Sequence, residues 1–297
     1  MDKCFRIGDF SFRLSCPDEV RPPENFMKFE SDADAPDYAY RIALADALPE
    51  PEGRRIALRK DLLVLERDGL ETRYVSETGA APYACYRETA ADSAEILLLP
   101  RVLGELKYDT MFSSLFAFER RMIGRDALVL HSAYIRTERG AILFSAPSGT
   151  GKSTQAGLWE RYRGVKQLNG DRSLLQKAGG VWQACGWPVC GSSEICNNES
   201  TPIRAIVMLS QAPENRIERL GPMAAFSQIY TQITVNRWSR DFQNRAMDLI
   251  EALTREIPVY HLACTISRET VELLADTLEN DERRQENGYG RKQDHLQ

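Results

Sequence analysis

Apolar and polar positions change rhythm about a third of the way along this 297-residue chain. In the first hundred residues, short apolar segments at 10–14, 38–44 and 55–58 are separated by Pro, Asp, Glu and Gly, as turns separate short strands. Segments 62–66 and 71–75 flank Arg67-Asp68-Gly69. Because Asp-Gly supplies positive φ at little cost, they predict a β-hairpin. Residues 17–36 carry four prolines and many acids, and predict a long loop. After residue 105 helical and strand rhythms alternate. Phe112, Leu115, Phe116, Met122 and Ile123 fall on one helical face, with Asp109 placed as the N-cap. Strands are expected at 127–135 and 141–145, then a glycine-rich turn and a helix from Lys152 to about Tyr162. Residues 203–209 are continuously apolar, as in a strand covered on both faces. Gly221-Pro222 opens a helix to about Ile233, since Pro is favoured at the first helical position. Amphipathic helices follow at 241–256 and 268–278; Val271, Leu274, Ala275 and Leu278 form the stripe of the last. Beyond Asn280 no apolar stripe remains, which predicts a frayed end. The organisation is therefore an α/β domain at 106–280, a β-rich region at 1–105 before it and a polar tail at 281–297.

Composition narrows the function classes. A net charge of −5 argues against a nucleic-acid partner held by bulk charge. No apolar run approaches the roughly 20 residues of a membrane span. The first residues, MDKCFRIGDF, lack the apolar segment of a secretion signal, and seven scattered cysteines do not make a paired framework, so a cytoplasmic setting is expected. Cys185, Cys190 and Cys196 cluster without the Cys-x-x-Cys spacing of zinc sites, and read as partly buried free thiols.

Specific chemistry enters at residues 145–154, SAPSGTGKST. Ala146 to Ser153 fits the phosphate-binding P-loop pattern, with Ala in place of the first glycine. Several backbone N–H groups must converge on the phosphates, so the chain has to curl tightly; Gly149 and Gly151 permit it. Ser148, Gly149, Thr150, Gly151, Lys152, Ser153 and Thr154 are the expected nucleotide contacts, at the positive end of the following helix. Lys152 carries the charge for the β and γ phosphates, and the Ser153 hydroxyl can ligate Mg²⁺. Asp171 ends the segment 165–171 just past that helix and is the candidate second Mg²⁺ ligand; Asn169-Gly170-Asp171 is equally turn chemistry.

Three elements occur in order: Leu130-His131-Ser132-Ala133, the P-loop, and Asn169-Gly170-Asp171-Arg172. In this order and spacing the chain resembles the catalytic domain of HPr kinase/phosphorylase, over about residues 109–280. The resemblance implies a P-loop kinase domain of the HPr kinase/phosphoenolpyruvate carboxykinase-like type, with ATP and Mg²⁺. It implies that Lys152 and Ser153 serve the phosphates and metal. Asp171 then matches the second Asp of the family pair, and His131 the histidine near the reacting phosphate. The family's proton-accepting first Asp is here Gly170, and its later Glu-x-Arg-Gly-x-Gly motif is replaced by Gly186-Trp187-Pro188 through Gly191-Ser192-Ser193-Glu194.

The expected function is ATP-dependent phosphoryl transfer to a hydroxyl of a peptide, protein or small molecule, with serine of a peptide or small protein foremost. His131, Lys152 and Asp171 are the expected catalytic residues. A nucleotide-dependent switch or binding module without kinase activity is the alternative, and carboxykinase activity a weaker third. Glu194 and Arg237 are secondary candidates. Arg237 is read as a surface cation packed on Trp238. The β-rich region can recognise a peptide or support a homo-oligomer. No nucleic-acid or membrane partner is expected.

Overall fold

A computed structural model describes residues 1–293. The amino-terminal region forms β1 (Asp2–Ile7), β2 (Phe10–Ser15), a short helix α1 (Glu24–Met27), β3 (Tyr38–Leu44), β4 (Arg54–Leu58), β5 (Leu62–Arg67), β6 (Leu70–Val75), β7 (Ala84–Ala90) and β8 (Ser93–Leu98). These eight strands make one sheet in the order β1-β2-β3-β8-β7-β6-β5-β4. The β5–β6 hairpin turns on Asp68 and Gly69, both at positive φ, as Asp-Gly predicts. Strands β1, β7 and β8 were not expected as such. Residues 17–36 are a loop apart from the single turn of α1.

The helical segment after residue 105 is two pieces, α2 (Asp109–Ser113) and α3 (Phe118–Ile123), broken at Ala117, whose φ is 50°. Asp109 is not an N-cap. Its carboxylate accepts hydrogen bonds from the Cys190 N–H at 2.8 Å and the Cys190 thiol at 2.9 Å instead, a long-range contact that outcompetes the local one.

The second sheet contains β9 (Leu128–Thr137), β10 (Gly140–Ser145), β11 (Lys166–Asn169), β12 (Arg172–Ala178), β13 (Val181–Cys185), β14 (Ser200–Gln211), β15 (Arg216–Arg219) and β16 (Val259–Cys264). Pairing of β10 with β14 closes a ring through β9, β12 and β13. Strands β10, β14 and β16 run parallel, with α4 (Lys152–Arg163) and α7 (Arg268–Gln293) on one face and α5 (Pro222–Gln232) and α6 (Arg240–Glu256) on the other. Strand periodicity divides the core between the two faces. In β10, Ala141 and Leu143 join the α5/α6 side while Ile142 and Phe144 join the α4 side; β14 splits in the same way. This mixed α/β architecture agrees with the sequence reading. Helix α7 runs to Gln293, well past Leu278, so the expected frayed end is helical as far as the structure describes it; residues 294–297 lie outside the described residues. Among the described residues no helix is long and apolar enough to cross a membrane.

Two features bind the amino-terminal sheet to the rest. Its aromatic layer, including Phe5, Phe12, Phe26, Tyr40, Phe116 and Phe118, forms one core with Leu174, Cys185 and Trp187 of the second sheet and its loops. Beside it lies a buried charge cluster of three acids and three guanidiniums. Arg73 binds Glu71 at 2.7 Å and Glu119 at 2.6 Å, Arg120 binds Glu71 and Glu88, and Arg121 binds Glu88. Burial opposes charge on Arg73, yet Glu119 and Glu71 hold its pKa above the ordinary value.

Removing one partner of such a cluster leaves opposite charges buried and unpaired. Arg73→Ala is expected to lower stability by about 3–5 kcal/mol in urea unfolding. A loss under about 1 kcal/mol would show that water reaches the cluster.

Candidate functional site

Strands β11 and β12 are two halves of one strand laid antiparallel on β9. In the first half Lys166 pairs with Arg136 and Gln167 with Ile135; in the second Arg172 pairs with His131 and Ser173 with Leu130. Between them the register shifts by one residue from Gln167 to Asn169, and the ladder is interrupted at Gly170-Asp171, where the Ser132 N–H reaches the Asp171 carbonyl at 2.9 Å. Asn169 shapes the interruption. Fully buried, it donates to the Trp187 carbonyl at 2.8 Å and accepts from the N–H groups of Asp171 at 2.9 Å and Arg172 at 3.1 Å. At this interruption Asp171 Oδ1 lies 3.4 Å from His131 Nε2.

The P-loop leaves the end of β10 and curls into α4 through Gly149 at φ 79° and Gly151 at φ 115°, angles that other residues rarely adopt. A methyl group placed on either glycine would meet no protein atom within 4 Å, so the loop encloses open space. Lys152 folds back onto its own loop, its Nζ donating to the Ala146 carbonyl at 3.2 Å. The Ser153 hydroxyl donates to the Gly170 carbonyl at 3.2 Å, which places it beside Asp171. The structure thus brings together the P-loop residues, His131 and Asp171, three elements separate in sequence.

Charge at this junction is unevenly spread. Burial pulls the Lys152 ammonium below its ordinary pKa, an effect the nearby Asp171 charge only partly offsets. For Asp171 burial pushes the other way, but the contact with His131 and the charges of Arg172 and Lys152 hold its carboxyl below the usual range. Arg172 sits with Nε 3.3 Å from Asp171 Oδ2 and donates from Nη1 to Thr234 Oγ1 at 3.0 Å. The oxygens of Ser153 and Asp171 are hard ligands that suit Mg²⁺, and a nucleotide-borne Mg²⁺ needs only one or two protein oxygens. Among the described residues no group of three or more His, Cys, Asp or Glu side chains is placed to hold a metal by itself.

The loop from Gly186 to Asn197 covers this junction. A Cβ on Gly170 would lie 1.7 Å from Ser193 Oγ and 2.4 Å from Ser193 Cβ, so Ser193 fills the volume a side chain there would need. The Ser193 hydroxyl is held by the Cys190 carbonyl at 2.7 Å. On the other side, a Cβ on Gly191 would meet Asp171 at 3.1 Å. Burial pushes the thiols of Cys190 and Cys196 up to about 12, so both stay neutral, as free buried thiols do. Glu194 is exposed, on the side of the loop facing Lys107 and Asn25. Arg237 does not pack on Trp238: the guanidinium over that ring is Arg73, at 5.6 Å, and Arg237 is exposed. Sequence reasoning gave no role to Asn169, Arg172, Ser193 or Thr234. Only the Asn-Gly turn signal hinted at the first, and the others depend on contacts distant in sequence.

The site is that of an α/β protein with a glycine turn closed against a carboxylate on an interrupted strand and a histidine on its neighbour. Residues 103–278, more than half of the chain, match the family model described as SynChlorMet cassette protein ScmC, and the chain belongs to that family. A search of the curated proteins finds no match. Among solved structures, the Hpr(Ser) kinase/phosphatase from Coxiella burnetii is similar over 55% of this chain and 94% of its own, at 14% identity and a TM-score of 0.30, a likeness too slight to argue from.

The packing of Ser193 has a measurable consequence. Gly170→Asp is expected to destabilise the protein by about 1–3 kcal/mol through overpacking, and Ser193→Gly in the same chain to recover most of that loss. Urea unfolding of both single variants and the double variant reads the coupling; additive effects would show that the two residues do not touch.

Proposed function

We propose that the protein is an ATP-dependent kinase that transfers the γ-phosphoryl group to a hydroxyl, with serine of a peptide or small protein the foremost acceptor. The observation that carries this reading is the convergence at one strand interruption. The Ser153 hydroxyl bonds the Gly170 carbonyl, and the adjoining Asp171 carboxylate lies 3.4 Å from the His131 ring. Nothing in a phosphate-binding turn of purely structural use calls for an acid and an imidazole at that place.

In this reading the loop N–H groups from Ser148 to Thr154 and the Lys152 ammonium hold and orient the triphosphate. Ser153 and Asp171 would hold Mg²⁺, which when bound neutralises charge on the β and γ oxygens. The acceptor hydroxyl oxygen bonds to the γ-phosphorus as the bond from that phosphorus to the β–γ bridging oxygen breaks. ADP departs with the electron pair, and the hydroxyl proton passes to the His131 ring. Once the ring is charged, its Nε2–H faces Asp171 Oδ1 and the carboxylate stabilises it. Such transfer rests mostly on positioning and charge, so one carboxylate and one imidazole suffice for it.

The alternative, a nucleotide-dependent switch without transfer, is favoured by Gly170. Ser193 occupies the space of a second carboxylate, and no other acid takes its place in the contacts around Gly170. Transfer of label from γ-labelled ATP to protein or peptide in a cell extract separates the two readings. Labelled acceptor supports the kinase; slow hydrolysis alone supports the switch.

Lys152→Ala is expected to abolish the thermal stabilisation that ATP gives, which at a hundredfold excess over Kd is about 2.7 kcal/mol, without unfolding the protein. An unchanged ATP-induced shift in the melting curve would remove the P-loop from nucleotide binding. His131→Ala is expected to slow transfer by about 10² to 10⁴ with ATP affinity preserved, and His131→Gln to be as slow if the ring takes the proton. Near-normal kcat in His131→Gln would assign the ring to orientation rather than proton transfer.

A further inference from the structure

Between the two sheets, away from the P-loop, lies a cleft of about 620 Å³ lined by residues 56–59 and by Tyr230, Thr231, Ile233, Val235, Arg237 and Trp238. Three consecutive residues of β4, Ile56, Ala57 and Leu58, line it together with Arg59 just beyond the strand. Side chains on one face of a strand alternate, so a run of neighbours means that the strand presents its edge to the cleft. Strand β4 is the outermost of its sheet and pairs only with β5, leaving backbone donors and acceptors on the other edge. The lining is mixed: Ile56, Leu58, Ile233, Val235 and Trp238 supply apolar patches among polar groups, and Leu58 is 66% exposed. The lining holds two guanidiniums, Arg59 and Arg237, and no carboxylate. Arg59 meets Asp61 at the surface, whereas Arg237 and the neighbouring Arg55 pair with no acid among the described residues.

The cleft is stiffened from behind and is tied to the site by packed contacts. Trp238 Nε1 donates to Glu71 of the buried charge cluster at 3.3 Å, and Asn236 Nδ2 to Glu119 at 3.0 Å, so the wall does not have to be ordered on binding. At its inner end Ile233 bridges Leu130, the residue before His131, and the Thr234 N–H reaches the Val129 carbonyl at 2.9 Å. Thr234 Oγ1 accepts from Arg172, whose guanidinium also meets Asp171.

We propose that this cleft docks the acceptor as an extended acidic peptide, added as a strand on the outer edge of β4. Its apolar side chains would lie against Leu58, Val235 and Trp238, and its acids against Arg237 and Arg55. This rests on the kinase reading for its purpose, but docking itself requires no ATP. The contacts from Ile233 and Thr234 to Leu130 and Arg172 couple the docked peptide to the site.

The probes are dye-labelled synthetic nonapeptides with a central serine: Asp-Glu-Leu-Val-Ser-Leu-Val-Glu-Asp, the same peptide with every acid replaced by Lys, and the same peptide with its four apolar residues replaced by Gly. Fluorescence anisotropy without nucleotide is expected to show the acidic apolar peptide binding at least tenfold more tightly than either control. Leu58→Asp and Arg237→Glu, both at exposed positions, are expected to weaken it at least fivefold, with the ATP-induced thermal shift unchanged. Equal binding of the acidic and basic peptides overturns the proposal. So does affinity that neither substitution moves, or a cleft occupied by a second copy of the chain, seen as dimerisation that Leu58→Asp abolishes without peptide binding. Docking of the acidic peptide without transfer of label from ATP would retain the docking site and overturn the kinase reading. Transfer to peptides that do not depend on Leu58 or Arg237 would do the reverse.

Discussion

A slipped strand pairing determines where everything at this site can be. Had β11 and β12 continued in the register of Lys166 with Arg136, Asp171 would have stood in the ladder opposite His131. A one-residue shift between Gln167 and Asn169 sets Arg172 opposite His131 instead. Buried Asn169 then shapes the interruption at Gly170-Asp171 by accepting from two successive backbone N–H groups. There the Asp171 carboxylate lies beside His131 on the neighbouring strand while the Gly170 carbonyl takes the Ser153 hydroxyl. A bulge is costly in ladder hydrogen bonds and is retained where side chains must be re-aimed.

The amino-terminal sheet is bound into this arrangement rather than appended to it. The shared aromatic core reaches Trp187 and Cys190 in the loop that covers Asp171, and Asp109 ties that loop down through Cys190. The buried charge cluster fixes Trp238 and Asn236 on the other side. Burying Glu71, Arg73 and Glu88 and half-burying their partners costs desolvation that the pairing only balances, so the cluster is poorly explained as a source of stability. As a device that sets the register of the 234–238 segment against β6 and α3, it has a use an apolar core would not supply.

Much of this was legible in the sequence wherever a local pattern dictated it. The strand ranges of β3, β9, β10 and β14 followed from apolar runs, the β5–β6 turn from Asp-Gly, and the start of α5 from Gly221-Pro222, because in each case the determinant lies within a few residues. The tight turn at Gly149 and Gly151, with both glycines at positive φ, belongs to the same class. Asp109 was misplaced because its best partner, Cys190, is 81 residues away, and a long-range bond replaced the cap that local chemistry offered. Helix α7 outran its apolar stripe since pairs such as Arg204 with Glu282 and Tyr260 with Asp281 hold it beyond Leu278. Gly170 was visible as a missing acid, but not the reason it must be small; that lies in Ser193, across a loop that no periodicity predicts.

That reason bears on the chemistry proposed for the site. A glycine standing where an acid is expected can mean a lost function with an empty space left behind. Here the space is filled: the Ser193 hydroxyl lies where a Cβ would be and is itself bonded to the Cys190 carbonyl, within a loop that also packs Gly191 against Asp171. Loop and strand are therefore fitted to one another around a single carboxylate. In the proposed chemistry such a site has one acid to divide between metal and imidazole, so the proton's route and the metal's ligand would be coupled through Asp171. Holding that carboxyl below its usual pKa with His131, Arg172 and Lys152 keeps it ionised for both tasks against the burial that would protonate it. Arg172, Lys152 and the His131 contact are thus as much a part of the proposed machinery as the glycine loop itself.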